Sequence, residues 1–269
     1  MKTQDVDSNA GDVAPPEREM DEKEVEIWRE KYFPPWSVPT LLIWSIGWIV
    51  LHNIVSFMCG AASSLANIWF GLGLNIGELL FIGILFARFV SVGMLLVFIV
   101  YQLRRTSSSL SDVWISYRVK PSFISIVPWL GALLMLLWAV TARAITGQFF
   151  SPPASHIQLD WHLGLGATLL VNALLLGVVE EIFYRGLIYR GLRKRISPGL
   201  AMLYSTILFA ASHTDLRTDP VGIMFVFIFG LGAAALFDRT RSLNSCIFFH
   251  ISFNATGTMV YFLKHIIPT

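Results

Sequence analysis

Three short patterns in the second half of the chain hold residue types able to hydrolyse an amide: Glu180-Glu181-x-x-x-Arg185, Phe209-x-x-x-His213 and His250-x-x-x-Asn254. Water attack on a peptide bond needs a base, a group that holds the water, and donors for the developing oxyanion. Glu180 can serve as the base and His213 can position the water, while His250 and Asn254 can donate to the oxyanion. Glu181 and Arg185 are four apart, neighbours on one helical face with the acid in the favourable N-terminal position. Glu180 is rotated about 100° from Glu181 and lacks that partner, which leaves its carboxylate free to take a proton. No serine or cysteine stands beside a base in a recognisable nucleophile arrangement, so a covalent acyl-enzyme route is disfavoured.

Each pattern also has a plainer reading. Glu181 and Arg185 suit a structural ion pair, and a His at a helix end or a His/Asn pair suits hydrogen bonding between membrane helices. Two His plus Glu180 would equally suit a zinc site with an open position, built on Glu180, His213 and His250. The zincin pattern HExxH is absent.

The elements that must position these residues are apolar. Of 269 residues 55% are hydrophobic and only 14% charged, with a mean hydropathy of +0.62. Apolar runs cover Val38 to Cys59, Leu79 to Leu103, Ile124 to Ile145, Leu163 to about Tyr189, Leu200 to His213, Val221 to Phe237 and Ser245 to Leu263. Each except the short fifth approaches the roughly 20 residues needed to cross a bilayer. The expectation is an all-α, polytopic transmembrane bundle of about 7–8 helices around a polar intramembrane chamber. The Gly-rich stretch Ala61 to Gly77 reads as an interfacial helix or part of an extra span.

Depth aligns the three patterns. At about 1.5 Å per residue, Glu180 lies about 20 Å from Arg193, His213 about 23 Å from Ser197, Asn254 about 20 Å from Arg241 and His250 about 14 Å in. Ionisable groups at membrane depth cost at least about 2.5 kcal/mol each on insertion scales, so their convergence reads as functional.

Charge is segregated. Residues 1–35 carry ten of the 18 acids and are net −5, and the remainder is net +7. The acidic tail, set off by Pro34-Pro35, has too few apolar residues to fold alone, and it speaks against a nucleic-acid partner. Basic clusters at Arg104-Arg105, Arg118-Lys120, Arg190 to Arg195 and Arg239 to Arg241 all fall on the cytoplasmic side if seven spans alternate from a cytoplasmic N-terminus. The expected home is a plasma or inner membrane. The chain divides into the tail, N-terminal helices over 36–158 and a catalytic membrane domain over 159–269.

In order and membrane context the three motifs resemble those of the CPBP family, which embraces type II CAAX prenyl proteases and the bacteriocin-processing or self-immunity (ABI) proteins. The resemblance spans roughly residues 160 to 265. It implies a metal-free intramembrane endopeptidase of the glutamic type, with Glu180 the catalytic base and His213 its partner at the water. Glu181 and Arg185 would support the site, His250 and Asn254 would form the oxyanion hole, and Phe209 would shape the pocket. The implied partners are the lipid bilayer and a membrane-anchored protein or peptide substrate; no cofactor is implied. Two rivals from other classes are a non-proteolytic regulator or immunity scaffold that holds a partner helix in the same groove, and a proton-coupled transporter. The second lacks an internal repeat.

Outside the motifs, His52 is expected to bond between helices, and Arg88 to snorkel or meet an acid from another span. Arg143 is expected to reach the headgroups, and Trp36, Trp69 and Trp161 to anchor at the interface. Cys59 and Cys246 lie in apolar runs and read as small hydrophobes.

Overall fold

The computed structural model describes residues 36–73, 76–105, 121–146, 161–213 and 220–266. The acidic tail, the Arg118-Lys120 cluster and residues 147–160 and 214–219 lie outside the described residues. Among the described residues there are seven helices: α1 (Val38–Phe70), α2 (Ile76–Arg105), α3 (Pro121–Thr146), α4 (from Trp161 to Arg193), α5 (Pro198–Ala211), α6 (Pro220–Thr240) and α7 (Leu243–Ile266). All but α5 are long and apolar enough to span a membrane. In hydrocarbon every backbone polar group needs an internal partner, and the helix is the local way to supply one. The protein is a polytopic helical membrane bundle, and large side chains such as Phe57, Val97 and Trp129 are more than 70% exposed toward what is lipid in the bilayer.

Local signals set the helix ends. Ser37 caps α1 by accepting the Thr40 amide at 3.3 Å. Gly71, at φ +59°, closes the same helix in the left-handed conformation that glycine tolerates. The first helix therefore runs past Cys59, where the strongly apolar run ends, through small residues to Phe70. The stretch from Ala61 is neither a separate interfacial helix nor a further span. Pro198 sits in the first turn of α5, where its missing N–H is no loss. That helix has 14 residues, about 21 Å, and is too short to cross the bilayer.

α4 is not uniform. A five-residue α segment, Gly177–Glu181, lies between two wide-turned π stretches, Leu169–Leu176 and Ile182–Tyr189. Such turns re-aim side chains and often mark functional positions. From Val179 through Leu192 every residue of α4 is buried, which makes it the central element of the bundle. The helices meet closely where glycine allows it. A Cβ at Gly131 of α3 would overlap the Phe249 carbonyl oxygen and the Ser252 hydroxyl of α7. One at Gly230 of α6 would stand 2.9 Å from the Thr206 methyl and 3.2 Å from the Phe209 ring on α5.

The basic ends of α4 and α6 share one side. Asp238 accepts from the Tyr189 hydroxyl at 2.7 Å and lies 3.6 Å from both Arg193 and Arg241. Arg195 donates to the Trp36 carbonyl at 3.3 Å, which brings the start of α1 to the same side. Trp36 is 5% exposed and packs edge-on to Trp44 at 5.1 Å, so it is a core residue and not an interfacial anchor. Trp69, at 82% exposed, does stand clear of the bundle. His52 Nδ1 and the Ser91 hydroxyl share a hydrogen bond at 3.0 Å, joining α1 to α2 as expected. This makes a serine–histidine pair invisible to local spacing, but Ser91 is fully buried and unreachable by a substrate.

Candidate active site

Four helices converge on one polar cluster. Glu180, Glu181 and Arg185 come from α4, Phe209 and His213 from the end of α5, Phe229 and Gly230 from α6, and His250 and Asn254 from α7.

Glu181 is the hub. Its Oε1 accepts from Arg185 Nη1 at 2.9 Å and from His250 Nδ1 at 2.7 Å, and all three side chains are at most 3% exposed. Arg185 is held further by the Gly230 carbonyl, which its Nη2 reaches at 3.1 Å, and by the Phe209 ring, 4.7 Å beneath its guanidinium carbon. A buried guanidinium needs such company, because an ion withdrawn from water loses several kcal/mol of solvation, of order, unless paired. An ionised carboxylate can only accept, so His250 must give its Nδ1 proton to Glu181.

His250 thereby presents Nε2 to the other acid. Glu180 Oε2 lies 3.7 Å from it, too far for a direct hydrogen bond, and this buried oxygen has no hydrogen-bond partner. The wall around the imidazole is aromatic: Phe229 stands edge-on at 4.7 Å and Phe209 at 5.9 Å. The α4 backbone runs beside the ring at Gly177, where a Cβ would stand 3.6 Å from His250 carbon atoms, an ordinary contact.

His213 caps the end of α5 with its own ring. Nδ1 lies 2.9 Å from the Phe209 carbonyl oxygen, which can only accept, so the Nδ1 position carries the proton and Nε2 the lone pair of the neutral ring. The ring also lies 4.6 Å from that of Phe209. Phe209 is thus the shared neighbour of His213, His250 and Arg185, and it joins the three motifs physically. Ser212 hydrogen-bonds the Phe209 carbonyl through its hydroxyl at 2.7 Å.

Asn254 reaches α4. Its Nδ2 donates to the backbone carbonyl of Asn172 at 2.9 Å, within the first wide-turned stretch. Asn172 was not singled out by sequence, although a polar residue at membrane depth on α4 is the kind of signal that marks it. Its side-chain oxygen is buried without a hydrogen-bond partner.

Among the described residues no three His, Cys, Asp or Glu side chains are grouped so as to hold a metal ion.

Residues 163–256 match the model of the family described as Rce1-like, type II CAAX prenyl endopeptidase Rce1-like. The matched segment takes in nearly all of α4, α5, α6 and the cluster-bearing half of α7. With six helices able to span a bilayer, the class is that of an integral, multi-pass membrane peptidase, a hydrolase. No curated protein and no solved structure matches the chain.

Proposed function

We propose that the protein hydrolyses a peptide bond near the C-terminus of a prenylated, membrane-anchored protein, with Glu180 as general base acting on water. One observation carries the assignment of the base. Each of the two adjacent acids keeps a buried Oε2 without a hydrogen-bond partner, but Glu181 is tied through Oε1 to Arg185 and His250 and is fully buried, whereas Glu180 is held by neither at hydrogen-bond distance and is 7% exposed. The family description supports the prenylated CAAX substrate.

The reaction follows from donor and acceptor roles. A water donates one hydrogen bond to Glu180 Oε2 and the other to the Nε2 lone pair of His213. Glu180 takes a proton as the water oxygen bonds to the scissile carbonyl carbon, and the carbonyl π electrons move onto its oxygen. Asn254, with one Nδ2 hydrogen on the Asn172 carbonyl, has a second to donate to that oxyanion, and His250, whose Nδ1 proton is on Glu181, donates through Nε2 only when its ring carries both protons. When the oxyanion collapses the C–N bond breaks, and the proton on Glu180 passes to the leaving nitrogen, giving a carboxylic acid and an amine. Glu181 holds His250 by Nδ1, and Arg185 holds Glu181. Neither takes part in bond making.

The shared side of Arg193, Arg195 and Arg241 supports a cytoplasmic setting for the N-terminus and for these helix ends. The direct test follows a fluorescent farnesylated CAAX peptide by mass spectrometry with purified protein. Cleavage by wild type and none by Glu180→Gln is expected; cleavage undiminished by that change would end the proposal.

A further inference from the structure

Tyr184 follows Glu180 by four residues, so the two share a face of α4, beside the parallel pair Glu181 and Arg185. Its ring is fixed on several sides. It meets Phe209 edge-on at 5.2 Å and Phe183 at 5.0 Å, and its backbone carbonyl accepts from Ser205 of α5 at 3.2 Å. The residue is 0% exposed. Its hydroxyl faces Ser212, beside His213, and lies within electrostatic range of Glu180. Within hydrogen-bond distance and angle the hydroxyl has no partner: Ser212 gives its own proton to the Phe209 carbonyl and stands beside the phenol as a longer-range polar neighbour that could only accept.

A phenol oxygen withdrawn from water without a partner is destabilising, and phenylalanine would fill the same space without that cost. The hydroxyl therefore has a hydrogen bond to offer a guest molecule beside Glu180 and the Ser212-His213 turn. Resting on the reading that Glu180 activates a water, we propose that Tyr184 is a further catalytic residue whose O–H donates to that water. The bookkeeping of the water molecule closes. Its two hydrogens go to Glu180 and His213, one lone pair accepts from Tyr184, and the other is left to form the bond to carbon. The tyrosine proton stays on its oxygen throughout; its role is to fix the direction of attack.

The test is Tyr184→Phe in the full chain, assayed with a farnesylated CAAX peptide beside wild type and Glu180→Gln. The expected result is a kcat lowered about tenfold or more with KM within about twofold. The melting temperature should be equal to wild type or higher, because the substitution removes an unpartnered hydroxyl. Full kcat in Tyr184→Phe overturns the inference and leaves the Glu180 assignment standing. So does a loss of kcat accompanied by a lower melting temperature, which marks a packing role. A Glu180→Gln protein that still cleaves, or a wild type that does not, overturns the reading of the site and this inference with it.

Discussion

His250 gives its Nδ1 proton to Glu181 across 2.7 Å and thereby turns Nε2 toward Glu180, 3.7 Å away. One imidazole spans two carboxylates that are adjacent in sequence, and the two acids end with different duties. The one that also holds Arg185 takes two hydrogen bonds at Oε1, while its neighbour meets the imidazole only at 3.7 Å; the Oε2 of each is without a hydrogen-bond partner. This asymmetry separates the predicted effects of changing each acid.

Glu180→Gln keeps the volume and removes the base. A kcat lower by about 10²–10⁴ is expected, with thermal unfolding in detergent unchanged. Peptide cleavage and melting curves on the same preparation check both halves.

Glu181→Ala should act first on stability. It leaves the buried Arg185 without its counter-charge and its Nη1, with the His250 Nδ1–H, without an acceptor, and loss of one partner of a buried pair costs about 3–5 kcal/mol. Removing both charges, as Glu181→Leu with Arg185→Met, should recover much of that stability, since apolar replacement of a buried pair is often neutral. Activity should not return, because His250 still lacks its anchor. Denaturant unfolding beside the cleavage assay distinguishes the two effects.

Asn254→Ala tests the oxyanion assignment. Loss of one donor should lower kcat about 10²–10³ with little change in KM, the signature of an interaction made in the transition state. Steady-state kinetics over a range of peptide concentrations reads the split.

Gly131→Ala probes the scaffold at a distance from the chemistry. The added methyl meets the carbonyl of Phe249, the residue before His250, so α3 and α7 must move apart. Overpacking of this kind costs about 1–3 kcal/mol, and cleavage should fall as His250 is displaced. Gly93→Ala, with nothing within 4 Å of its Cβ, should leave both stability and activity unchanged.

How far the site can be read from sequence depends on the range of each contact. Glu181 and Arg185 are four apart, so helix geometry alone predicts their bond, and the structure has it. The bond from His250 to Glu181 joins residues 69 apart, and no local periodicity specifies which acid the imidazole meets. The same holds for Asn254 and the Asn172 carbonyl, 82 residues away. Six spanning helices are legible because hydrocarbon demands long apolar runs. The true end of α1 is hidden because Ala61, Ala62, Ser63 and Ser64 dilute the hydropathy without breaking the helix, which stops only at the left-handed Gly71. The wide turns of α4 have no signature in its leucine-rich sequence, and they depend on packing against α7.

The shortness of α5 bears on how a hydrolytic enzyme is supplied. With its Ser197 end level with the Arg193 headgroup layer, a helix of about 21 Å stops roughly 10 Å before the far edge of a 30 Å hydrocarbon slab. The Ser212-His213 turn, buried at Ser212 and half-buried at His213, is then a polar terminus at membrane depth, and the bilayer beside it must thin or admit solvent. Turnover should therefore respond to acyl length in reconstituted vesicles, faster in thin bilayers and slower in thick ones, even when substrate and protein are held constant.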